Sequence, residues 1–181
     1  RAFDVIKDQW DGQTDPGAEG EWVGLLQDRP QDKPFFLWLA SIDAHRAWDD
    51  EIFLERHDPD QVPVPPYLAD APATRADLAK YYDEIARLDH FVGKVEAELE
   101  AQGIADNTMI IFLADNGRPF PRCKTRVYDS GMQTPFIVKW PNGIRKQGHV
   151  CNSLLSAIDI APTILDVCGV NIDDSFQGKS F

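Results

Sequence analysis

Met109-Ile110-Ile111-Phe112-Leu113-Ala114, running into Asp115-Asn116-Gly117 and on to Lys124, is an apolar run of strand length that ends in two oxygen donors and, one loop later, a cation. Continuous apolar runs mark strands buried on both faces, as in the parallel sheets of α/β folds. In open α/β sheets, ligands collect beyond the carboxyl ends of the strands. A carboxylate and a carboxamide at that place suit a hard cation such as Ca²⁺ or Mg²⁺, which takes oxygen ligands. A strand running into an ordinary turn accounts for the same letters, since Asn-Gly is a common turn dipeptide. The neighbouring sequence has to separate the two readings.

Upstream, Pro34-Phe35-Phe36-Leu37-Trp38-Leu39-Ala40-Ser41-Ile42 is a second continuous apolar run, and it too ends in polar residues, Asp43-Ala44-His45-Arg46. Between the two runs, Leu78, Tyr81, Ile85, Leu88, Val92, Val95 and Leu99 recur at three- and four-residue steps. That spacing predicts a helix over 77–102 with one apolar stripe, closed by Gly103 and about 39 Å long at ~1.5 Å per residue. It is long enough to cover one face of a sheet. Downstream, Pro135–Trp140 predicts a third strand closed by Pro141-Asn142-Gly143. A last helix is expected from an N-cap near Asp159, with Pro162 in its first turn and Ile164, Leu165 and Cys168 facing inward. Trp22, Leu25 and Leu26 suggest a short helix before Arg29-Pro30, and the Asp- and Pro-rich stretch 48–73 reads as a long excursion of the kind that shapes substrate pockets. Strand, helix, strand order with apolar strands points to an α/β layered domain, a mostly parallel sheet flanked by helices.

In a parallel sheet the two polar strand ends share one edge. His45 can exchange a proton near neutral pH, Lys124 can hold an anion, and Asp115 with Asn116 can hold a divalent cation. Together they outline metal-assisted hydrolysis of an oxyanion ester or amide. A satisfied structural histidine is the plainer reading of His45 taken alone.

The composition narrows the class. With 181 residues, 43% of them hydrophobic, the chain can bury a core, and a formal charge of -12 argues against a nucleic-acid partner. Basic residues nevertheless crowd one place, Arg118, Arg122, Lys124 and Arg126, which suits a small anionic substrate or, more plainly, a solvated loop. Cys123, Cys151 and Cys168 have neither the number for a disulfide framework nor metal-site spacing. Cys168 is expected in the core of the last helix. No apolar run reaches the length of a membrane-spanning helix. With Arg1 at its start and Phe181 after Gly178-Lys179-Ser180, the chain is expected to be cut at both ends.

An ordered set of stretches resembles the sulfatases of the alkaline phosphatase superfamily, in particular the heparan N-sulfatase (N-sulfoglucosamine sulfohydrolase) group. The matching residues are Lys33-Pro-Phe-Phe-Leu-Trp-Leu-Ala40, Asp43-Ala-His-Arg46, Tyr81-Tyr82 with Leu88-Asp89, Asp115-Asn-Gly-Arg-Pro-Phe-Pro121, Lys124-Thr125, Gly131-Met-Gln-Thr-Pro135 and Asp159-Ile-Ala-Pro-Thr163. The resemblance implies a formylglycine nucleophile made from Cys or Ser, and one Ca²⁺, or Mg²⁺ in some relatives, clamping the sulfate. By the same resemblance Asp115 and Asn116 would be metal ligands, Lys124 would bind the sulfate, and His45 would contact the sulfate or leaving group. Arg46 and Arg118 are weaker candidates for substrate contacts. The implied substrate is a sulfated saccharide or other sulfate ester, and a periplasmic, secreted or lysosome-like compartment is plausible from the family.

The departures are as informative. The nucleophile motif C-x-[PA]-x-R is absent: Cys123-Lys124-Thr125-Arg126 has Thr where Pro or Ala belongs and Arg one position early. The upstream acidic metal ligands of the family and its small C-terminal domain are not found either. Residues 1–181 are therefore expected to be the C-terminal portion of one sulfatase catalytic domain, inactive alone and able to associate through the edge left by the missing half. The alternatives are a phosphoesterase or phosphonate hydrolase of the same superfamily, or a non-catalytic relative that binds an anion or sugar.

Overall fold

The computed structural model describes residues 18–49 and 54–181. Most of the polar N-terminal loop and part of the 48–73 excursion lie outside them. The chain forms two units, 1–143 and 144–181.

In the first unit, helix α1 (Trp22–Asp28) packs against the C-terminal half of helix α2 (Pro72–Ala101). Leu26 and Leu99 are fully buried there, each worth about 2 kcal/mol of transfer free energy, and Trp22 meets Phe91 edge-on at 6.4 Å. Gln102 closes the joint, accepting from Arg29 Nη2 at 2.7 Å and donating to the Leu26 carbonyl. Helix α2 starts five residues before the expected Asp77 because Pro72 opens its first turn, where a missing N–H costs nothing.

The inner face of α2 differs from the expected stripe. Leu78 and Leu99 are buried, but Ile85 is exposed while Asp83, Glu84 and Arg87 are buried. Charge replaces carbon in the middle of the helix because the residues facing it come from the polar segment after Ile42 rather than from a sheet. A second core lies at the N-terminal end of α2, where Val62, Leu78, Ala79, Phe120 and Cys123 are enclosed by Trp48, Tyr67, Tyr81 and Tyr82.

Strands β1 (Ile110–Leu113) and β2 (Phe136–Lys139) fall where the apolar runs predict, but they pair antiparallel, Ile110 opposite Lys139 and Leu113 opposite Phe136. The expected parallel pairing is thus not seen among the described strands. Residues 34–42 join no ladder with other described residues, and they are not buried on both faces: side chains alternate, with Phe36 and Trp38 outward, Trp38 at 74% exposure. The alternation of exposure along 35–40 nevertheless has the period of two that a strand shows. Lys139 ties β2 to α2 through Glu96 at 3.0 Å.

The second unit holds helix α4 (Ile160–Val167), numbered after a one-turn helix α3 (Asp129–Met132). Asp159 is the N-cap as expected, reached through a 3₁₀ turn that begins in a capping box with Ser156. The Ser156 and Lys179 backbone N–H groups both donate to its carboxylate and hold it below the usual range. Cys168 corrects the expectation: it sits at the C-cap and is exposed, because the helix buries Pro162 and Thr163 instead.

Candidate active site

The loop after β1 is shaped by glycine. Gly117 donates its N–H to the Gly131 carbonyl at 3.0 Å, and a Cβ on Gly117 would stand 2.1 Å from the Ser130 carbonyl oxygen. A Cβ on Gly131 would stand 2.3 Å from the carbonyl oxygens of both Arg126 and Cys123. The backbones of 115–118 and 123–131 therefore approach as only glycine permits. Inside this frame the Arg118 carbonyl accepts from the N–H groups of Phe120 and Lys124, and Arg122 and Thr125 adopt the left-handed conformation. Cys123 is pulled wholly into the aromatic core with its thiol against the Tyr67 hydroxyl at 3.3 Å. Burial, then the Cys123 contact, pushes the Tyr67 phenol up. A thiol so enclosed cannot meet a substrate, in keeping with its failure to fit the nucleophile motif.

Asp115 is exposed, and no described residue hydrogen-bonds its carboxylate. Asn116 turns its Nδ2 onto the Gly117 carbonyl at 2.9 Å, no described residue donates to its Oδ1, and Lys124 forms no ion pair among the described residues. The two oxygens and the ammonium thus stand on one loop, unspent. They suit a hard cation and an anion, the two oxygens making up part of a shell that takes about six to eight for Ca²⁺. Among the described residues no three His, Cys, Asp or Glu side chains are grouped so as to hold a metal ion by themselves. Arg118 lies over the Tyr81 ring at 5.8 Å.

The loop after Ile42 is held by charge. Asp43, whose side chain is fully buried, takes a two-point bond from Arg87, Nε to Oδ2 at 2.9 Å and Nη2 to Oδ1 at 2.5 Å. Arg46 does the same with Asp77, at 2.9 and 2.5 Å, and stacks over Trp48 and Phe120. Asp77 also accepts from the Trp48 indole at 2.6 Å, and Arg46, followed by that indole, holds its carboxyl below the usual range. His45 is exposed, its Nδ1 2.5 Å from the Arg46 carbonyl.

The two loops meet. Arg46 Nε donates to the Pro119 carbonyl at 3.1 Å, and Trp48 stacks on Phe120. So the sequence-selected His45 and Arg46 are brought against the loop of Asp115, Asn116, Arg118 and Lys124, but Arg46 is spent on Asp77 and Pro119, and it ties the loops together. Asp77, Glu84 and Arg87 were missed. Their signal was present: they recur on one helix face beside the apolar stripe, at a period that places charge inward.

Comparison with known proteins gives the family. The family model described as Sulfatase matches residues 20–170. N-sulphoglucosamine sulphohydrolase of Homo sapiens is 36% identical over 157 residues, covering 75% of this chain and 31% of that protein. Among solved structures, one from a study of the metabolism of multiple glycosaminoglycans by Bacteroides thetaiotaomicron has a TM-score of 0.71 at 25% identity, covering 90% of this chain and 37% of that one. A structure in complex with its substrate D-glucosamine-2-N,6-O-disulfate gives 0.53 at 26%, over 63% and 24%. A phosphonate monoester hydrolase from Silicibacter pomeroyi gives 0.54 at 32%, over 64% and 24%. The chain spans a fifth to about a third of the length of the curated relatives it matches first. Its helices and small sheet are part of an α/β domain of the sulfatase type, and the family implies a metal and a formylglycine in general. By the match over most of its length and the ordered loops that carry its polar groups, the chain belongs to the sulfatase family.

Proposed function

We propose that this chain supplies one side of a sulfatase active site acting on a sulfated sugar, an N-sulfated glucosamine or a related sulfate ester. The supporting observation is the unspent trio on one loop, Asp115, Asn116 Oδ1 and Lys124, with the His45 loop docked beside it through Arg46 and Pro119. Asp115 and Asn116 would hold the metal, Ca²⁺ or Mg²⁺, which when bound draws charge off the sulfuryl oxygens. Lys124 would bind and orient the sulfate as a point charge. His45, exposed and with its Nδ1 turned to the Arg46 carbonyl, contacts the sulfate or hands a proton to the leaving oxygen or nitrogen through Nε2. Arg118 is a candidate for the sugar's other anionic groups. The nucleophile and the remaining metal ligands would come from residues outside these 181.

The test is a set of variants in the full-length protein that carries these residues. Asp115→Ala and Lys124→Ala are each expected to lower kcat/KM for an N-sulfated or O-sulfated glucosamine by about 10²-fold or more, from the loss of fixed charge at the reacting group. Unchanged turnover in both variants would sink the assignment. The isolated 181-residue chain is expected to leave an aryl sulfate intact and to bind Ca²⁺ only weakly by calorimetry. The phosphonate hydrolase among the solved structures favours a second reading, hydrolysis of a phosphonate or phosphate monoester. A substrate panel in which those esters turn over faster than sulfates would establish it over the first.

A further inference from the structure

The middle of α2 buries a charged network. Arg87 holds Asp43 at two points, and one turn earlier Glu84 Oε1 accepts the Asp49 N–H at 2.6 Å while its carboxyl shares a hydrogen bond with Asp43. Asp49 Oδ2 lies 3.7 Å from Arg87 Nη1. Behind them Ser41 Oγ accepts the Asp43 N–H at 3.0 Å and donates to buried Glu19. Four carboxyl groups, those of Glu19, Asp43, Asp49 and Glu84, thus surround one guanidinium. Glu84 and Arg87 are three residues apart on one helix face, and they grip the two ends of the segment that contains His45 and Arg46.

Such a network is a poor source of stability, since well-packed apolar side chains do as well or better than a buried ion pair. What a fork with fixed angles supplies is geometry. We propose that Arg87 and Glu84 are positioning residues for the His45 loop: by holding Asp43 and Asp49 they keep the residues between them in one arrangement beside Pro119. The inference rests on the reading of His45 given above as a contact of the sulfated group. Neither Arg87 nor Glu84 need touch substrate for it.

The experiment uses the full-length protein, amide hydrogen exchange over 43–49, and steady-state kinetics on a sulfated glucosamine. Arg87→Lys keeps the charge and loses the fork; Glu84→Ala loses the acceptor for Asp49; Glu84→Gln keeps an acceptor for Asp49 and a donor for Asp43. Arg87→Lys and Glu84→Ala are each expected to speed exchange in 43–49 about ten-fold and lower kcat about ten-fold or more, with KM within about threefold, as a misplaced reacting group does. Glu84→Gln is expected to restore both readouts, with exchange in the α1–α2 joint unchanged in all three. The proposal is overturned if exchange in 43–49 is untouched by Arg87→Lys and Glu84→Ala, or if it rises while kcat holds. Should the unaltered protein turn over no sulfated sugar, the proposed function fails, and the exchange arm still decides whether Glu84 and Arg87 hold the loop.

Discussion

The two loops that make up the candidate site are built by opposite means. The His45 loop is pinned by side-chain charge from α2, through Arg87 to Asp43, Glu84 to Asp49 and Asp77 to Arg46. The Asp115 loop is pinned by its own backbone, with Gly117 and Gly131 letting two chain segments touch, and its charged groups are left over. One loop consumes its polar side chains to exist; the other does not. Asp115 and Lys124 are therefore left for chemistry on a loop that needed neither for its shape, while the first loop leaves His45 Nε2, and the contrast predicts that charge changes damage the first loop and volume changes the second.

The largest effect is expected at the buried fork. Arg87→Ala should cost roughly 3–5 kcal/mol in urea unfolding, because it strands the buried Asp43 carboxylate without its counter-charge. A cost near that of an exposed ion pair would place the His45 loop on other supports.

Next is the response to pH. Burial, then the hydrogen bond with Asp43, pushes the Glu84 carboxyl from 4.5 up to about 7. Because the folded state holds that proton more tightly than the unfolded chain, its contribution is full below about pH 4.5 and is lost as pH rises toward 7. The total is on the order of 3 kcal/mol. The slope of stability against pH between 4.5 and 7 should flatten in Glu84→Gln, and an unchanged slope would assign the titration to another group.

The Asp115 loop should answer to size. Gly117→Ala, whose Cβ would press on the Ser130 carbonyl, is expected to cost about 1–3 kcal/mol by forced backbone shift, visible in the same unfolding curves. The same loop should ignore Asp115→Ala in stability. Smallest is Asp77→Ala. Its pair with Arg46 is partly open to water, so ~1 kcal/mol or less is expected. The informative readout there is Trp48 fluorescence, since the indole loses its acceptor.

What was legible in the sequence follows from this same division. The Asp115-Asn116-Gly117 turn, the Lys124 that follows, β1, β2 and the Asp159 cap are local patterns, written within a few residues and set by periodicity or turn chemistry. The candidate residues Asp115, Asn116, Lys124 and Arg118 are legible together because they lie on one contiguous loop. The supports of the His45 loop were not, because Arg46 with Asp77 and Asp43 with Arg87 pair across 31 and 44 residues. No helical pattern says which partner a charge will meet. For the same reason the apolar spacing predicts a stripe through Ile85, whereas Glu84 and Arg87 turn inward. The antiparallel pairing of β1 with β2 escaped too, since an apolar run carries no sign of strand direction.

The enclosure of Cys123 has a practical consequence. Of the three thiols, Cys151 and Cys168 face solvent, and hydrogen bonds from Ser153 bring the Cys151 thiol below its ordinary range, so a thiol reagent should consume Cys151 first and Cys168 soon after. Cys123 can react only when the ring cluster of Trp48, Tyr67, Tyr81 and Phe120 parts. The third equivalent of label therefore times the opening of the wall behind the candidate site, a clock already present in the native chain.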